Sequence, residues 1–435
     1  MSVTRYHTTG TNFSAPTDSV KHVAKELNTT NRENESPEIL LGENKVKTQL
    51  NPPYRVLYID HTAKMSGGEI ALLNMIRALD KERFTPIVVL FADGELAREL
   101  KASNVDVHIL PLSKQLLDTR KDSLGVGSLV KLASVVDFVR SIKYLIPVIK
   151  SIKPSIVHTN SLKSDFVGGI AAKFCRVPLI WHIRDRIDTD YLPKSVVLSI
   201  RFLARFLPTM VVANSQSTLE TLHLPARSQS GVVHSGIVLP PVPEERDWNF
   251  PVKIGIVGRI ARWKGQHIFI QAAKKVHASY PNTEFSLIGS PMFGEQDYSN
   301  EISAMVEEYG MKDCVEFQGF RADIMNAVSE LDILVHASIT AEPFGQVIVE
   351  GMALEKPVVA TAGGGVLEIV KDGITGLLVP MNDADTMANA LNSLLADKEK
   401  ARKMGKSARE RVVNKFTVPQ TAKQMESLYN KLLKI

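Results

Sequence analysis

Residues 252–267 read Val-Lys-Ile-Gly-Ile-Val-Gly-Arg-Ile-Ala-Arg-Trp-Lys-Gly-Gln-His, and this stretch decides the fold. It opens with a short apolar run that stops at a glycine. Continuous runs of this kind, separated by longer amphipathic stretches, belong to strands of a parallel sheet covered on both faces. Downstream the pattern returns as EFSLIG, VEFQG, DILVHAS, PVVAT and GLLVP. Upstream, from Tyr54, it runs as YRVLYID, PIVVLF, VDVHIL, SIVHT, PLIWHI and TMVVA. Between the two series Pro240, Pro241 and Pro243 stand beside Glu244, Glu245 and Arg246, which is linker composition. The run at Val252 therefore starts a second sheet instead of extending the first. The predicted fold is α/β, two Rossmann-like doubly wound parallel-sheet domains facing one cleft.

Working outward, residues 1–50 are rich in Thr, Ser, Asn, Glu and Lys without apolar period and are predicted to be a flexible tail. Residues 51–238 form the predicted first domain, 239–250 the linker and 251–415 the second domain; 416–435 form a helix predicted to pack back toward the first. A chain of 435 residues, 44% hydrophobic and 23% charged, suits two soluble cores. Cys175 and Cys314 make no disulfide framework and point to a reducing cytoplasm. No secretory signal is read at the N-terminus, and no apolar run is long enough to span a bilayer. A net charge of +5 fits a phosphorylated ligand or an anionic membrane surface; no nucleic-acid partner is expected.

The sharpest chemical signal is A-E-P-F-G-Q-V-I-V-E-G-M-A, with Glu342 before a predicted helix and Glu350 inside it. Pro343 suits the helix entry, where its missing N–H costs nothing. The helix N-terminus around Phe344 and Gly345 offers free N–H groups and partial positive charge to a phosphate. The eight-residue step from Glu342 to Glu350 spans about 12 Å at helical rise, roughly the reach from a sugar across a diphosphate to a ribose. Arg259 and Lys264, in the turn after the Val252 run, are cations placed to neutralise a leaving diphosphate. Ser66-Gly67-Gly68-Glu69 starts a helix after the opening strand, and Gly68 would let the backbone approach a phosphate. Neither opening strand carries the G-x-G-x-x-G of dinucleotide enzymes. Gly363-Gly364-Gly365 reads equally as a donor-facing loop and as a tight turn.

E-P-F-G-x-x-x-x-E resembles the E-x7-E signature of the retaining family 4 glycosyltransferases, which have the GT-B architecture. Matching segments follow in order over roughly residues 54–430. The resemblance implies that Glu342 contacts hydroxyls of the donor sugar, that Glu350 holds the ribose, and that Arg259 and Lys264 bind the diphosphate. His158 and Asn160, in I-V-H-T-N-S, and His182, in W-H-I-R-D, resemble segments that face the sugar. Many relatives carry a second histidine where this chain has Asn160, and His158 is a catalytic candidate on the same footing.

The expected function is transfer of a sugar from a nucleotide-diphosphate sugar to an acceptor hydroxyl with retention. No cofactor and no metal are expected, since no Asp-x-Asp or His/Cys/Asp cluster has ligand spacing. M-S-G-G-E-I-A-L-L-N and W-H-I-R-D look like enzymes of bacterial surface-polysaccharide assembly, which makes a lipid-linked saccharide at the inner face of the cytoplasmic membrane the leading acceptor. Lys194–Pro208, basic and apolar without acidic residues, reads first as a helix packing its apolar face on the first domain's sheet and second as a membrane-facing helix, with Arg201 and Arg205 on one basic edge; the two coexist if only that edge meets lipid. The alternatives are a nucleotide-sugar epimerase and a catalytically silent sugar-nucleotide-binding scaffold.

Overall fold

The computed structural model describes residues 51–110, 128–190, 192–242, 251–292 and 294–435, which belong to one compact unit. The predicted tail and most of the predicted linker lie outside the described residues.

Each apolar run of the sequence becomes a strand. The first series gives β1 (Tyr54–Asp60), β2 (Phe84–Leu90), β3 (Asp106–Ile109), β4 (Ile156–Thr159), β5 (Leu179–Ile183) and β6 (Met210–Ala213). A seventh strand, β7 (Ser230–Val232), was not read from the sequence. The second series gives β8 (Val252–Val257), β9 (Thr283–Ile288), β10 (Val315–Gly319), β11 (Ile333–His336), β12 (Val358–Thr361) and β13 (Leu377–Val379). The first sheet runs β3-β2-β1-β4-β5-β6-β7 and the second β10-β9-β8-β11-β12-β13. Every pairing is parallel. Strand order reverses beside β1 in the first sheet and beside β8 in the second. At such switch points loops diverge beyond the carboxyl ends of the strands and leave a crevice for a ligand.

Both faces of each sheet are buried, which is why the strands read as continuous apolar runs. Tyr58 and Ile180 face one core of the first sheet, while their neighbours Leu57 and Trp181 face the other. Ile254 and Val335 lie in one core of the second sheet, Val257 and Leu334 in the other.

Two crossings join the halves side by side. The chain leaves the first sheet through Ile237, whose N–H donates to Phe416 O (2.9 Å), and Val418 N–H returns a bond to Ile237 O (3.0 Å). Beyond Val418 the last helix, Val418–Leu433, crosses to the first sheet and buries Ala422, Met425 and Tyr429 in its core. Its start is a capping box of Thr417 with Gln420, and a proline stands in the first turn.

The helix Lys194–Leu203 corrects the expected basic edge. Val197 and Ile200 pack inward as an ordinary core stripe. Arg201 does not face solvent: its Nε donates to Thr221 O (2.7 Å) and its Nη2 to Ile187 O (2.9 Å). The two carbonyls hold the guanidinium inside the fold, so Arg201 and Arg205 do not form one free edge.

Candidate active site

A cleft of about 420 Å³ opens between the two sheets. Its second-sheet wall carries Arg259, Lys264, Glu342, Phe344, Gly345 and Glu350, and its first-sheet wall carries Gly68. Seven residues singled out in the sequence thus face one space.

Glu342 sits at the centre of that wall and is only 6% exposed. Its Oε1 accepts from Lys264 Nζ (2.6 Å) and Ser338 Oγ (2.6 Å), and lies 3.2 Å from His336 Nε2. Burial alone would raise the carboxyl pKa, but Lys264 and His336 outweigh it and hold the group well below the usual carboxylate range. All three contacts fall on Oε1, which leaves Oε2 to accept hydrogen bonds from a ligand. Lys264 is fixed in turn by the indole of Trp263, 4.3 Å from the ring centre. Arg259 pairs with Glu295 at 3.2 Å.

Two glycines make this arrangement possible. Gly265, next to Lys264, has φ +73° and caps the helix Gln266–Ser279; a Cβ there would meet Ala337 O at 1.9 Å. Gly364 has φ +64°, and a Cβ would meet Glu342 O at 2.1 Å. The Gly363–Gly365 loop therefore packs under the Glu342 backbone, and Gly365 N–H donates to Glu342 O (2.9 Å). It does not line the cleft.

The helix between the two glutamates runs Gln346–Ala353 with Gly345 as its N-cap. Pro343 lies before that cap instead of in the first turn, and its carbonyl accepts from Ser215 Oγ (2.6 Å) and Thr218 Oγ1 (3.0 Å) of the first-sheet half. The Phe344 ring packs toward His234 and Phe416, with centroids 5.8 and 6.1 Å away, and so anchors the segment from below. Glu350 is partly buried and faces the cleft; burial pushes its carboxyl up to about 7, with Gln346 partly offsetting.

The polar residues of the first-sheet half are placed differently from expectation. His158 and His182 do not line the cleft. They are 0% and 1% exposed, because the last helix covers them: His158 Nδ1 lies 2.7 Å from Tyr429 Oη and its Nε2 3.1 Å from His182 Nδ1. Burial, with a smaller contribution from Arg184, drives the His158 pKa down to about 3 and that of His182 well below its ordinary value. Asn160 is buried as well, and binds Asp60 Oδ2 (2.7 Å) and Arg184 Nε (2.8 Å). The first-sheet side chains that do line the cleft are Arg184, Asn214 and Ser235. Sequence reading missed these as site residues, and it missed His336. Arg184 stood in W-H-I-R-D beside the histidine that was chosen, and His336 stood inside a run read only as a strand.

A latch closes the wall further out. Glu368 accepts from Gln216 N–H and Ser217 N–H (both 2.9 Å), the first turn of a helix in the other half, and lies 2.9 Å from His234 Nε2.

Comparison with solved structures gives the class. Anabaena HepE in complex with UDP and glucose superposes with a TM-score of 0.72 at 27% identity, over 87% of this chain and 100% of that one. Sucrose-phosphate synthase from Thermosynechococcus elongatus shares the fold, with a TM-score of 0.71 at 21% identity over 88% of this chain and 99% of that one. The architecture is GT-B. Residues 65–239 match the family model Glycosyltransferase Family 4, and residues 247–411 match Glycosyl transferases group 1. Together the matches take in most of the chain, which belongs to this glycosyltransferase family. Among curated relatives, the capsular polysaccharide biosynthesis glycosyltransferase CapM of Staphylococcus aureus is 27% identical over 363 residues, 77% of this chain and 92% of CapM. The D-inositol 3-phosphate glycosyltransferase of Corynebacterium urealyticum is 32% identical over 183 residues, 41% of this chain and only 43% of its own length.

Proposed function

We propose that this glycosyltransferase moves a sugar from a nucleoside-diphosphate sugar, with UDP as the first nucleotide to test, onto a saccharide hydroxyl with retention of configuration. The observation that carries the reading is the second-sheet wall: Glu342 with an unused Oε2, two cations, a helix N-terminus and Glu350 in one cleft. The sugar hydroxyls bind Glu342, the diphosphate binds Arg259, Lys264 and the amides at Gly345, and the ribose binds Glu350. The bond from the anomeric carbon to the phosphate oxygen breaks with its electron pair going to the phosphate. The acceptor oxygen attacks from the same face, and its proton passes to the departing phosphate oxygen. The protein positions the reactants and stabilises the leaving charge.

No cofactor is invoked, and the cations of the wall serve where a divalent ion otherwise would. Among the described residues no His, Cys, Asp and Glu group is arranged to hold a metal.

The acceptor side points to a saccharide carried on a lipid. Among the described residues no helix is long and apolar enough to cross a membrane. Phe174, Leu198, Phe202 and Phe206 are nevertheless 72%, 57%, 62% and 58% exposed. Lys173, Lys194 and Arg205 are exposed in the same segments, a mixture suited to the headgroup layer of an anionic membrane. HepE, similar in sequence and fold, holds UDP and glucose, which supports a UDP-sugar donor, and CapM is a capsular polysaccharide biosynthesis glycosyltransferase, which supports a saccharide acceptor.

The decisive experiment pairs titration calorimetry of UDP with a transfer assay in excess chelator. Glu342→Ala abolishes transfer and keeps nucleotide affinity. Glu350→Ala weakens UDP by about ten- to a hundredfold, the cost of one lost charge-assisted hydrogen bond. Equal, wild-type UDP affinity in both variants refutes the roles assigned, and activity that needs added magnesium or manganese refutes the metal-free mechanism.

A further inference from the structure

Arg184 follows β5 and is the charged residue on the first-sheet wall of the cleft. A guanidinium has five N–H donors. Here Nε donates to Asn160 Oδ1 (2.8 Å), Nη1 to Ser235 Oγ (3.2 Å) and Nη2 to His182 Nδ1 (3.4 Å). Two N–H groups remain.

The protonation of the histidine pair follows from this contact. Arginine can only donate, so His182 Nδ1 is an acceptor. His158 Nε2–H therefore donates to His182 Nδ1, and His158 Nδ1 accepts from Tyr429 Oη–H. Both rings are neutral, and so are Asn160 and Ser235. Among the described residues no carboxylate lies within ion-pair distance of Arg184; Asp60 reaches it only through the Asn160 amide. The fold thus holds a cation rigidly through neutral hydrogen-bond partners, with Asp60, Glu69 and Asp185 acting on it only from further off. A buried charge in that state gains from an anion brought to it.

Beside it stands Asn214, 5% exposed. Its Nδ2 donates to Arg184 O (3.2 Å), which fixes the amide, and its Oδ1 has no hydrogen-bond partner. The same wall therefore offers a donor fork and an acceptor oxygen. The opposite wall has its own cations for the donor diphosphate, which leaves Arg184 to the second substrate.

We propose that Arg184 and Asn214 bind an acceptor saccharide that carries an oxyanion, a phosphate or a carboxylate, next to a hydroxyl, with the oxyanion on the guanidinium and the hydroxyl on Asn214 Oδ1. This deepens the function proposed above and rests on its donor-site assignment. Asn160 is then a positioning residue that aims Arg184.

The test is calorimetry on the full chain saturated with UDP, so that Arg259 and Lys264 are occupied. The probes are glucose, glucuronate and glucose 1-phosphate. Wild type should bind the two anions at least about tenfold more tightly than glucose, the scale of one charge-assisted contact. Arg184→Met should erase that preference and Arg184→Lys should keep part of it, while both bind UDP as wild type does, which also reports that they are folded. Equal binding of glucose and the anions by wild type overturns the proposal. So does a loss of UDP affinity in Arg184→Met, which would assign the guanidinium to the donor diphosphate. Failure of the donor-site assignment reads out separately, as absence of UDP binding by wild type. The same preference is then measured in Arg259→Ala/Lys264→Ala protein, where its persistence upholds the Arg184 site and its absence removes it.

Discussion

Replacing Lys264 by methionine keeps the aliphatic stem but deletes the charge that stands 2.6 Å from Glu342 Oε1. The two side chains are 19% and 8% exposed, so the pair is largely out of water. Breaking a buried pair from one side costs about 3–5 kcal/mol, because the remaining ion is left uncompensated. Ser338 and His336 still reach Glu342 Oε1, which places Lys264→Met near the lower end, about 3 kcal/mol. The lost contact with the Trp263 ring adds about 0.5–1 kcal/mol. Glu342→Gln leaves the partner that can reach water more easily and costs about 1 kcal/mol. In the double variant the stranded carboxylate is gone, so it should be less destabilised than the sum of the singles by about 2 kcal/mol.

The pH dependence gives the experiment its direction. In wild type the folded carboxyl pKa is depressed, so the pair's contribution is present above the unfolded value, near 4.5, and is lost as pH falls through the folded value. Without Lys264 the first lowering influence is gone, and burial, the largest of the causes, is opposed by His336 alone. The folded pKa should then rise above the unfolded one, and stability should fall as pH rises between them. Thermal melts of the four proteins from about pH 5 to about pH 8 should therefore show a Lys264→Met deficit that grows with pH, and a smaller double-variant deficit that does not. At about 2–4 °C per kcal/mol the deficit near pH 7, from about 3.5–4 kcal/mol in all, is roughly 7–16 °C. Additive single and double variants, or a deficit independent of pH, would refute the view that this ion pair organises the site.

Glu350, pushed up to about 7 by burial, lowers stability as pH rises from its unfolded value through that point; Glu350→Gln should gain on wild type over this range in the same melts. UDP affinity should rise through about pH 7 more steeply in wild type, where the ionised carboxylate is the better acceptor for ribose hydroxyls, than in Glu350→Gln, where only the terminal phosphate of UDP still titrates. Glu368→Ala removes the acceptor of two backbone amides and of His234, at a cost of about 2 kcal/mol given its partial exposure. Small-angle scattering should then report a larger radius of gyration, and an unchanged profile would show that the latch does not hold the cleft closed. Leu198→Ser/Phe202→Ser/Phe206→Ser protein should lose cosedimentation with anionic vesicles at low salt, and Arg205→Glu should weaken it. Wild type that ignores such vesicles would favour a water-soluble acceptor.

How far the sequence could be read depends on the range of the interaction that sets each feature. Strands covered on both faces announce themselves residue by residue, so Val252–Val257 and its counterparts were legible; β7, three half-buried residues around Gly231, has no apolar run to read. The second-sheet wall was legible because its parts are spaced locally, from Arg259 to Lys264 and from Glu342 to Glu350. The histidines were another matter. Their spacing at strand ends is the same whether the neighbouring space holds a sugar or a side chain. Only the return of the last helix puts Tyr429, 271 residues away, against His158. The two arginines make the argument sharpest. Arg201 and Arg184 both follow apolar runs; the sequence reading offered the first to a surface and passed over the second. Thr221 and Ile187 carbonyls hold the first away from the cleft, whereas Asn160, Ser235 and His182 hold the second with its fork in the cleft wall. What distinguishes a structural cation from a recognising one is therefore where the fold leaves its remaining donors, not how many it leaves. That placement is set by contacts between distant segments, and no local pattern in the chain carries it.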